Sequence, residues 1–506
     1  MTRVATATSS RIAAEAALDV ADAGGNAIDC ALAAALVTMN TEPGVCALAG
    51  GAYLTVWPAD GEPVTIDGNV AVPGLGRPPG TPRSEAVERD YAGGIRTLVG
   101  CGPVAVPGTL AALTRASERH GRLPWQLVCA PAIALARSGF PLSRAAHYFL
   151  RYAGDVIYGR SDDGHGALHD ASGRLREPGE TVTVPHLADT LELIAREGSR
   201  PFYSGELGAA LVAHVEQGGG RLSRRDLEAY EALERRPLLT GLGDWQIASN
   251  PPPAVGGTVL AAMLAAFRDR PATAWDASSL SRLVGVQHAV LRYRRERLDL
   301  SDDIGSDSAE LLAAAVAADF PGRWQSTSTV HTSAVDRDGN ACAITASAGY
   351  GSGEMPPGTG LWLNNCLGEL ELNRRGLDAG PAGRRLPSNM TPGAARTADR
   401  VLAFGSPGAD RITTAIHQVL INYLQQDRSL EAAIAAPRLH VELRDGGDRV
   451  AAEPGLELPE LPLPVRWFDG PNMYFGGVSA AAYSEAQGFE AAADPRREGG
   501  VCLGGA

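Results

Sequence analysis

The stretch Ser328–Gly353, STVHTSAVDRDGNACAITASAGYGSG, constrains this chain of 506 residues more than any other. Thr329, His331, Ser333 and Val335 alternate with Val330, Thr332 and Ala334, the period-two pattern of a strand. Asp336-Arg337-Asp338-Gly339-Asn340 is a turn cluster, and Ala341–Thr345 resumes as a second strand, so the stretch reads as a hairpin. A hydroxyl residue at the head of a buried strand suits one particular chemistry. If the chain were cut just before Thr329, the new α-amine would lie beside the Thr329 hydroxyl and could take its proton, which activates a weak nucleophile. Threonine is also common in strands, and the hairpin by itself is satisfied by that ordinary role.

The length predicts two or three domains or one large layered α/β body. The chain is 44% hydrophobic and 20% charged, enough to bury a sizeable core. Its formal net charge of -13 argues against nucleic acid and anionic membrane as partners. All basic residues are arginine. Seven scattered cysteines, with no C-x-x-C pair, favour reduced thiols and a cytoplasmic home. The N-terminus lacks the basic and apolar regions of a signal peptide. Cys30–Met39 is apolar but too short to span a bilayer and reads as a buried helix.

Along the chain, Ser9 or Ser10 caps a helix running to about Asp22, stopped by Gly24-Gly25, and a second helix covers Ala27–Met39. Ala52–Trp57 and Val64–Asp67 read as a strand pair, followed by a Gly/Pro loop from Gly68 to Pro82. Residues 109–273 look largely helical. Ser223-Arg224-Arg225-Asp226 resembles a helix start, with Asp226 either a capping partner or a solvated first-turn charge. Asn250–Gly257 is a rigid loop before another helix, Leu291–Asp303 is helical and charged, and Ser306–Gln325 reads as a surface segment. Thr359–Asn365 and Val401–Phe404 read as strands and Arg411–Leu424 as a helix. Strand–helix alternation fits a layered α/β fold. Walker A, dinucleotide-binding, H-E-x-x-H and G-x-S-x-G motifs are all missing, and the histidines show no paired ligand spacing, so neither metal nor cofactor is expected. His417 reads as structural.

Several motifs, in order, carry a family resemblance: Gly24-Gly25-Asn26-Ala27-Ile28-Asp29, Val106-Pro107-Gly108-Thr109, Ala130-Pro131-Ala132-Ile133, Ala136-Arg137-Ser138-Gly139-Phe140, Phe202-Tyr203-Ser204-Gly205, Asp226-Leu227 with Tyr230, and Pro251-Pro252-Pro253 with Gly256-Gly257. Thr329-x-His331-x-Ser333, Asp336-x-x-Gly339-Asn340, Gly351-Ser352-Gly353, Asn364-Asn365, Gly405-Ser406-Pro407-Gly408 and Asp494-Pro495-Arg496-Arg497 continue it. With these the chain resembles the γ-glutamyltranspeptidase family of N-terminal-nucleophile hydrolases over nearly its whole length. The resemblance implies a four-layer αββα fold and a precursor that cuts itself between Ser328 and Thr329. Residues 1–328 and 329–506 would then be two subunit segments of one body, a heterodimer of the chain's own fragments. His331 and Ser333 set the register, since Thr327 and Ser328 also carry hydroxyls.

Carried over position by position, the resemblance makes Thr329 the nucleophile and Ser347 the hydroxyl that orients its amine. The backbone N–H groups of Gly408 and Ala409 become the oxyanion hole. Ser388 and Asn389 fall where the family holds the donor's α-carboxylate, and Arg77 is the candidate for the arginine that joins them. The departures cluster where the family grips the α-amine. An asparagine is replaced by Gly349, or lost in a shortening before Tyr350. A Glu or Gln becomes Cys366, and an Asp becomes Glu369. The implied activity is acyl transfer from a small-molecule amide, by default a γ-glutamyl amide, to water or an amine. The altered positions leave open a specialised biosynthetic hydrolase acting on a non-glutamyl amide or another carbonyl-adjacent bond. A non-catalytic binding homologue is the alternative from another class.

Overall fold

The computed structural model describes residues 3–89, 95–317, 329–370, 372–444 and 446–505. Two antiparallel sheets form its centre. The first has the spatial order Gly500–Gly504, Val4–Thr8, Val330–Asp336, Ala341–Ser347, Gly51–Trp57, Val64–Gly68, Leu233–Arg235. The second runs Gly488–Ala493, Ser479–Ser484, Arg400–Gly405, Gly393–Arg396, Trp245–Ser249, Leu238–Leu242. The expected hairpin is therefore central to the first sheet, with Val330 opposite Ala346 and Val335 opposite Ala341.

Each sheet buries one face against helices and the other against its partner sheet. Between the sheets lie mostly small residues: Ala5, Ala248, Val335, Ala341, Ala343, Ala394, Val401, Ala403 and Ala481, with Trp57 at the side. The helices Arg11–Asp22, Ala27–Thr41 and Thr109–His120 cover the outer face of the first sheet. Gly256–Arg268 and Arg411–Leu424 cover the second, with Ala277–Glu296 packed on Gly256–Arg268. These four layers are the expected αββα arrangement. Ala27–Thr41 is enclosed almost throughout. Removing a side chain such as Leu32 or Leu36 from water contributes about 1.5–3 kcal/mol each. Among the described residues no helix is long and apolar enough to cross a membrane.

Local chemistry explains what several of these motifs hold together. Asn26 and Asp29 form a capping box at the start of Ala27–Thr41. Asp29 also accepts from the backbone of Arg122 at 2.9 Å. Asp336, in the hairpin turn, accepts from Asn340 N at 3.0 Å and from Ala27 N at 3.0 Å, which ties the hairpin to that helix. Asp226 is a capping partner of Ser223, not a solvated charge. It is buried and also accepts from Gly74 N at 2.8 Å and Leu75 N at 2.8 Å.

Three expectations are corrected. Thr359–Asn365 is not a strand; it is mainly turn and coil, with one isolated bridge between Leu363 and Ala49. Its two asparagines work by side-chain bonding instead of a ladder. Ser306–Gln325 is not an irregular surface segment at its start, because Ile304–Ala317 is a helix; residues 318–325 lie outside the described residues. Residues 109–273 include the strands Leu233–Arg235, Leu238–Leu242 and Trp245–Ser249, where tertiary pairing outweighs local propensity.

Candidate active site

The period-two pattern of the hairpin decides which side chains meet. Residues 331, 333 and 335 face the second sheet. Ser333 Oγ reaches Ser479 O there at 3.1 Å, and a Cβ on Gly405 would lie 2.3 Å from the His331 ring. Thr329 has the same parity. Continuing the register by one step sets it across from Ser347, at the end of the neighbouring strand. Thr329 is 2% exposed. Ser347 Oγ accepts from Gly349 N at 3.1 Å. Ser328 and Thr327 lie outside the described residues.

His331 and Ser333 form a fixed polar unit below this strand end. Ser333 spends its one proton on Ser479 O, so His331 Nε2–H donates to Ser333 Oγ at 2.7 Å. Nδ1 then accepts from Thr345 Oγ1 at 2.8 Å. Burial lowers the His331 pKa to about 3, so the ring stays neutral across ordinary pH. Its contacts make it a support for the strand and not a proton carrier.

The second sheet contributes the turn Gly405-Ser406-Pro407-Gly408-Ala409. Gly408 has φ +121, and a Cβ there would lie 2.7 Å from Gly476 Cα, so only glycine fits. Ala409 has φ 55, a left-handed conformation that costs a non-glycine residue roughly 1–2 kcal/mol. Their N–H groups meet no acceptor among the described residues. The turn is anchored from behind. Asp410 Oδ1 accepts from Arg294 Nη1 at 2.7 Å, and Arg294 Nε donates to Asp299 Oδ1 at 3.1 Å, all buried. Burial raises the Asp410 pKa against the opposing pull of Arg294.

Thr329, Ser347, Glu369, Ser388, Asn389 and Ala409 line one cleft of about 470 Å³ counted to its open mouth. Cys366, Asn69, Asn373 and Ile412 also line it, among apolar neighbours. Ser388 and Asn389 are held by the Asn250–Gly257 loop, where Val255 N donates to Ser388 O at 2.9 Å and Asn250 Nδ2 to Met390 O at 2.8 Å. Asn389 Nδ2 donates to Ala409 O, which links this wall to the turn.

On the opposite wall, Asn364 Nδ2 donates to Ala49 O at 2.9 Å and Ala105 O at 3.0 Å. Asn365 Oδ1 accepts from Tyr350 N at 2.8 Å, while its Nδ2 donates to Leu98 O at 3.0 Å. These two asparagines therefore frame the cleft. Burial, with Glu369 nearby, pushes the Cys366 thiol pKa well up, so it is a neutral lining group.

Arg77 is not brought to the cleft. Its Nη1 pairs with Glu216 at 2.8 Å and its Nη2 donates to Leu222 O at 3.1 Å. The expectation from the Pro73-Gly74 loop fails because that loop is bound to Asp226, on the helix start beyond it. Among the described residues no arginine lines the cleft, and Glu369 is its one charged side chain. Asn69, Asn373 and Ile412 were not anticipated. Asn373 Nδ2 donates to Gly376 O at 2.8 Å, a turn that carries no pattern in the sequence.

The gamma-glutamyltranspeptidase family model matches residues 13–504. The chain belongs to the gamma-glutamyltranspeptidase family. It is thereby an enzyme of the N-terminal-nucleophile amidohydrolase class. A glutathione hydrolase proenzyme of Pseudomonas aeruginosa is 29% identical, covering 96% of this chain and 92% of the relative. An acylase ACY 1 proenzyme of Pseudomonas sp. strain SE83 is also 29% identical, covering 85% of this chain and 81% of the relative. A cephalosporin acylase from Bacillus halodurans superposes with a TM-score of 0.78 at 24% identity, covering 99% and 96% of the two chains, and this shares the fold. Relatives named for different activities match this chain at equal identity, so the family does not by itself name this member's substrate.

Proposed function

We propose that this enzyme cuts itself between Ser328 and Thr329 and then transfers the acyl group of a γ-glutamyl or related amide to water or an amine through a Thr329 ester. The observation that carries this reading is the convergence of Thr329, Ser347 and the Gly408–Ala409 turn on one cleft. Thr329 Oγ1 attacks the amide carbonyl as its proton passes to the α-amine, whose ordinary pKa of about 7.7–8.0 suits that exchange. The oxyanion receives the N–H groups of Gly408 and Ala409. Collapse expels the amine with the proton from the α-ammonium. Water or an acceptor amine then attacks the ester, and the Thr329 hydroxyl is restored. Ser347 orients the amine throughout.

Residues 1–328 and 329–506 are then the two subunit segments. They stay together because each sheet contains hydrogen-bonded strands from both. Seven free cysteines support a reducing, cytoplasmic setting. Intact mass and N-terminal sequencing test the first step. Two fragments are expected, the smaller beginning Thr-Val-His, and one chain from Thr329→Ala. A smaller fragment beginning at Thr327 or Ser328, or an uncut active enzyme, overturns it.

A second reading keeps this chemistry and changes the donor. Arg77 is engaged by Glu216, and no described arginine lines the cleft to meet an α-carboxylate. Entry of an unpaired charge costs several kcal/mol. A non-glutamyl amide avoids that cost. A panel of glutathione, a chromogenic γ-glutamyl anilide and amides without the amino-acid end separates the two. Micromolar Michaelis constants for glutathione favour the first, and turnover of the last group alone favours the second.

A further inference from the structure

Outside the catalytic cleft, three distant segments bring a thiol, an imidazole and a carboxylate together. Cys101 follows the strand Ile95–Val99, His214 sits on the helix Glu206–Gln217, and Glu354 lies in the loop beyond Ala341–Ser347. One ligand atom from each lies within 4.8 Å of the others. His214 Nε2 is 2.9 Å from Glu354 Oε2. Cys101 is buried, while the His214 and Glu354 side chains are 22% and 17% exposed on an open cleft.

We propose that Cys101, His214 and Glu354 bind one divalent transition-metal ion of the zinc class, with water as fourth ligand from the open side. Zinc takes sulfur at about 2.3 Å and nitrogen or oxygen at about 2.0–2.2 Å. Tetrahedral donors are then roughly 3.3–3.8 Å apart, within reach of the present spacing after side-chain adjustments of at most about 1.5 Å. A mixed S, N, O set selects zinc over magnesium or calcium, which take oxygen ligands.

The surroundings fit the same reading. Arg160 Nε lies 3.7 Å from Glu354 Oε1, which holds that oxygen and leaves Oε2 for the ion. Arg160 Nη1 pairs with Glu85 at 2.8 Å. A Cβ on Gly218 would lie 2.3 Å from Cys101 Sγ, so glycine backbone packs directly behind the sulfur. Burial and the nearby Glu354 carboxylate push the Cys101 thiol up to about 12, so without a cation it keeps its proton. Binding replaces that proton: Zn²⁺ joins the thiolate, and one proton leaves to solvent. Thiolate and carboxylate together balance the ion's charge.

The site also bears on the catalytic wall. Gly100 N donates to Ser352 O at 2.8 Å, and Leu98 N to Gly368 O at 3.0 Å. A metal clamp beside Cys101 therefore stiffens the segment that presents Cys366 and Glu369.

The test uses the full purified protein with Zn²⁺ or Co²⁺ alone. After equilibration at micromolar metal and desalting, elemental analysis is expected to give one zinc per chain. Cys101→Ser and His214→Ala should each weaken binding at least tenfold. The Co²⁺ form should show a thiolate-to-metal charge-transfer band that Cys101→Ser removes. Circular dichroism checks that both variants fold, and the half-buried His214 carries the test if Cys101→Ser does not. Zinc well below one per chain, zinc retained at wild-type affinity in His214→Ala, or a Co²⁺ spectrum without the thiolate band overturns the proposal. The first outcome would leave the trio as a plain His214–Glu354 ion pair beside a buried thiol.

Discussion

The two sides of the cleft are built in different ways. Thr329 and Ser347 stand at the ends of paired strands, and the Gly408–Ala409 turn is pinned by the buried Arg294, Asp299 and Asp410 group. The recognition side, from Cys366 to Asn373 and from Ser388 to Asn389, consists of loops held by Asn364, Asn365, Asn373 and Asn250 side chains. Ladder ends and a salt-bridged turn fix the geometry of the first side through backbone pairing and one buried ion-pair group. Amide-stitched loops leave the same frame free to accept different linings. On the proposed roles, the half that carries Thr329 can therefore persist while the donor changes.

The largest effect should come from the ladder end itself. Thr329→Ala is expected to leave one chain and to reduce turnover by roughly three to six powers of ten. Gel mobility and steady-state rates on a working substrate check it, and retained turnover would show that the nucleophile lies elsewhere. Next is the support of the turn. Arg294→Met strands two buried carboxylates, and breaking such a group costs about 3–5 kcal/mol. Chemical denaturation should show that loss, and an unchanged midpoint would mean the group does not hold the turn.

On the loop side, a Cβ at Gly349 would lie 2.2 Å from Asn365 Oδ1 and 2.9 Å from Glu369 Cδ. Gly349→Asn therefore cannot simply restore a family-like amine site. It should cost about 1–3 kcal/mol through overpacking and raise KM. An improved γ-glutamyl donor in that variant would show that the two loops yield more easily than the packing implies. The smallest effect is Ser347→Ala. It removes one positioned hydrogen bond worth about 1 kcal/mol, so kcat should fall several-fold with KM nearly unchanged. The reverse pattern would move Ser347 from the catalytic side to the recognition side.

The same contrast marks what could be read from the sequence. Thr329-x-His331-x-Ser333 was legible because strand parity puts alternate residues on one face, and the structure shows that face turned to the second sheet. The hairpin was legible from that alternation, and Arg411–Leu424 is the helix expected. Arg77 was misjudged because its position depends on Asp226, 149 residues further along, and no local pattern encodes that contact. Thr359–Asn365 alternates like a strand but has lost its ladder to side-chain amides. Asn69 and Asn373 line the cleft through loop closure, which propensity does not register.

The alanine layer between the sheets has a consequence for timing the chemistry in space. Thr329, the proposed nucleophile, belongs to one sheet and Gly408–Ala409, the proposed oxyanion turn, follows a strand of the other, so the gap between them is set by how thick the interleaf is. Ala341, Ala343, Ala394 and Ala403 work as a spacer gauge, and the missing side chain of Gly405 makes room in it for the His331 ring. One added methylene anywhere in that gauge would detune the reaction without touching a reacting atom.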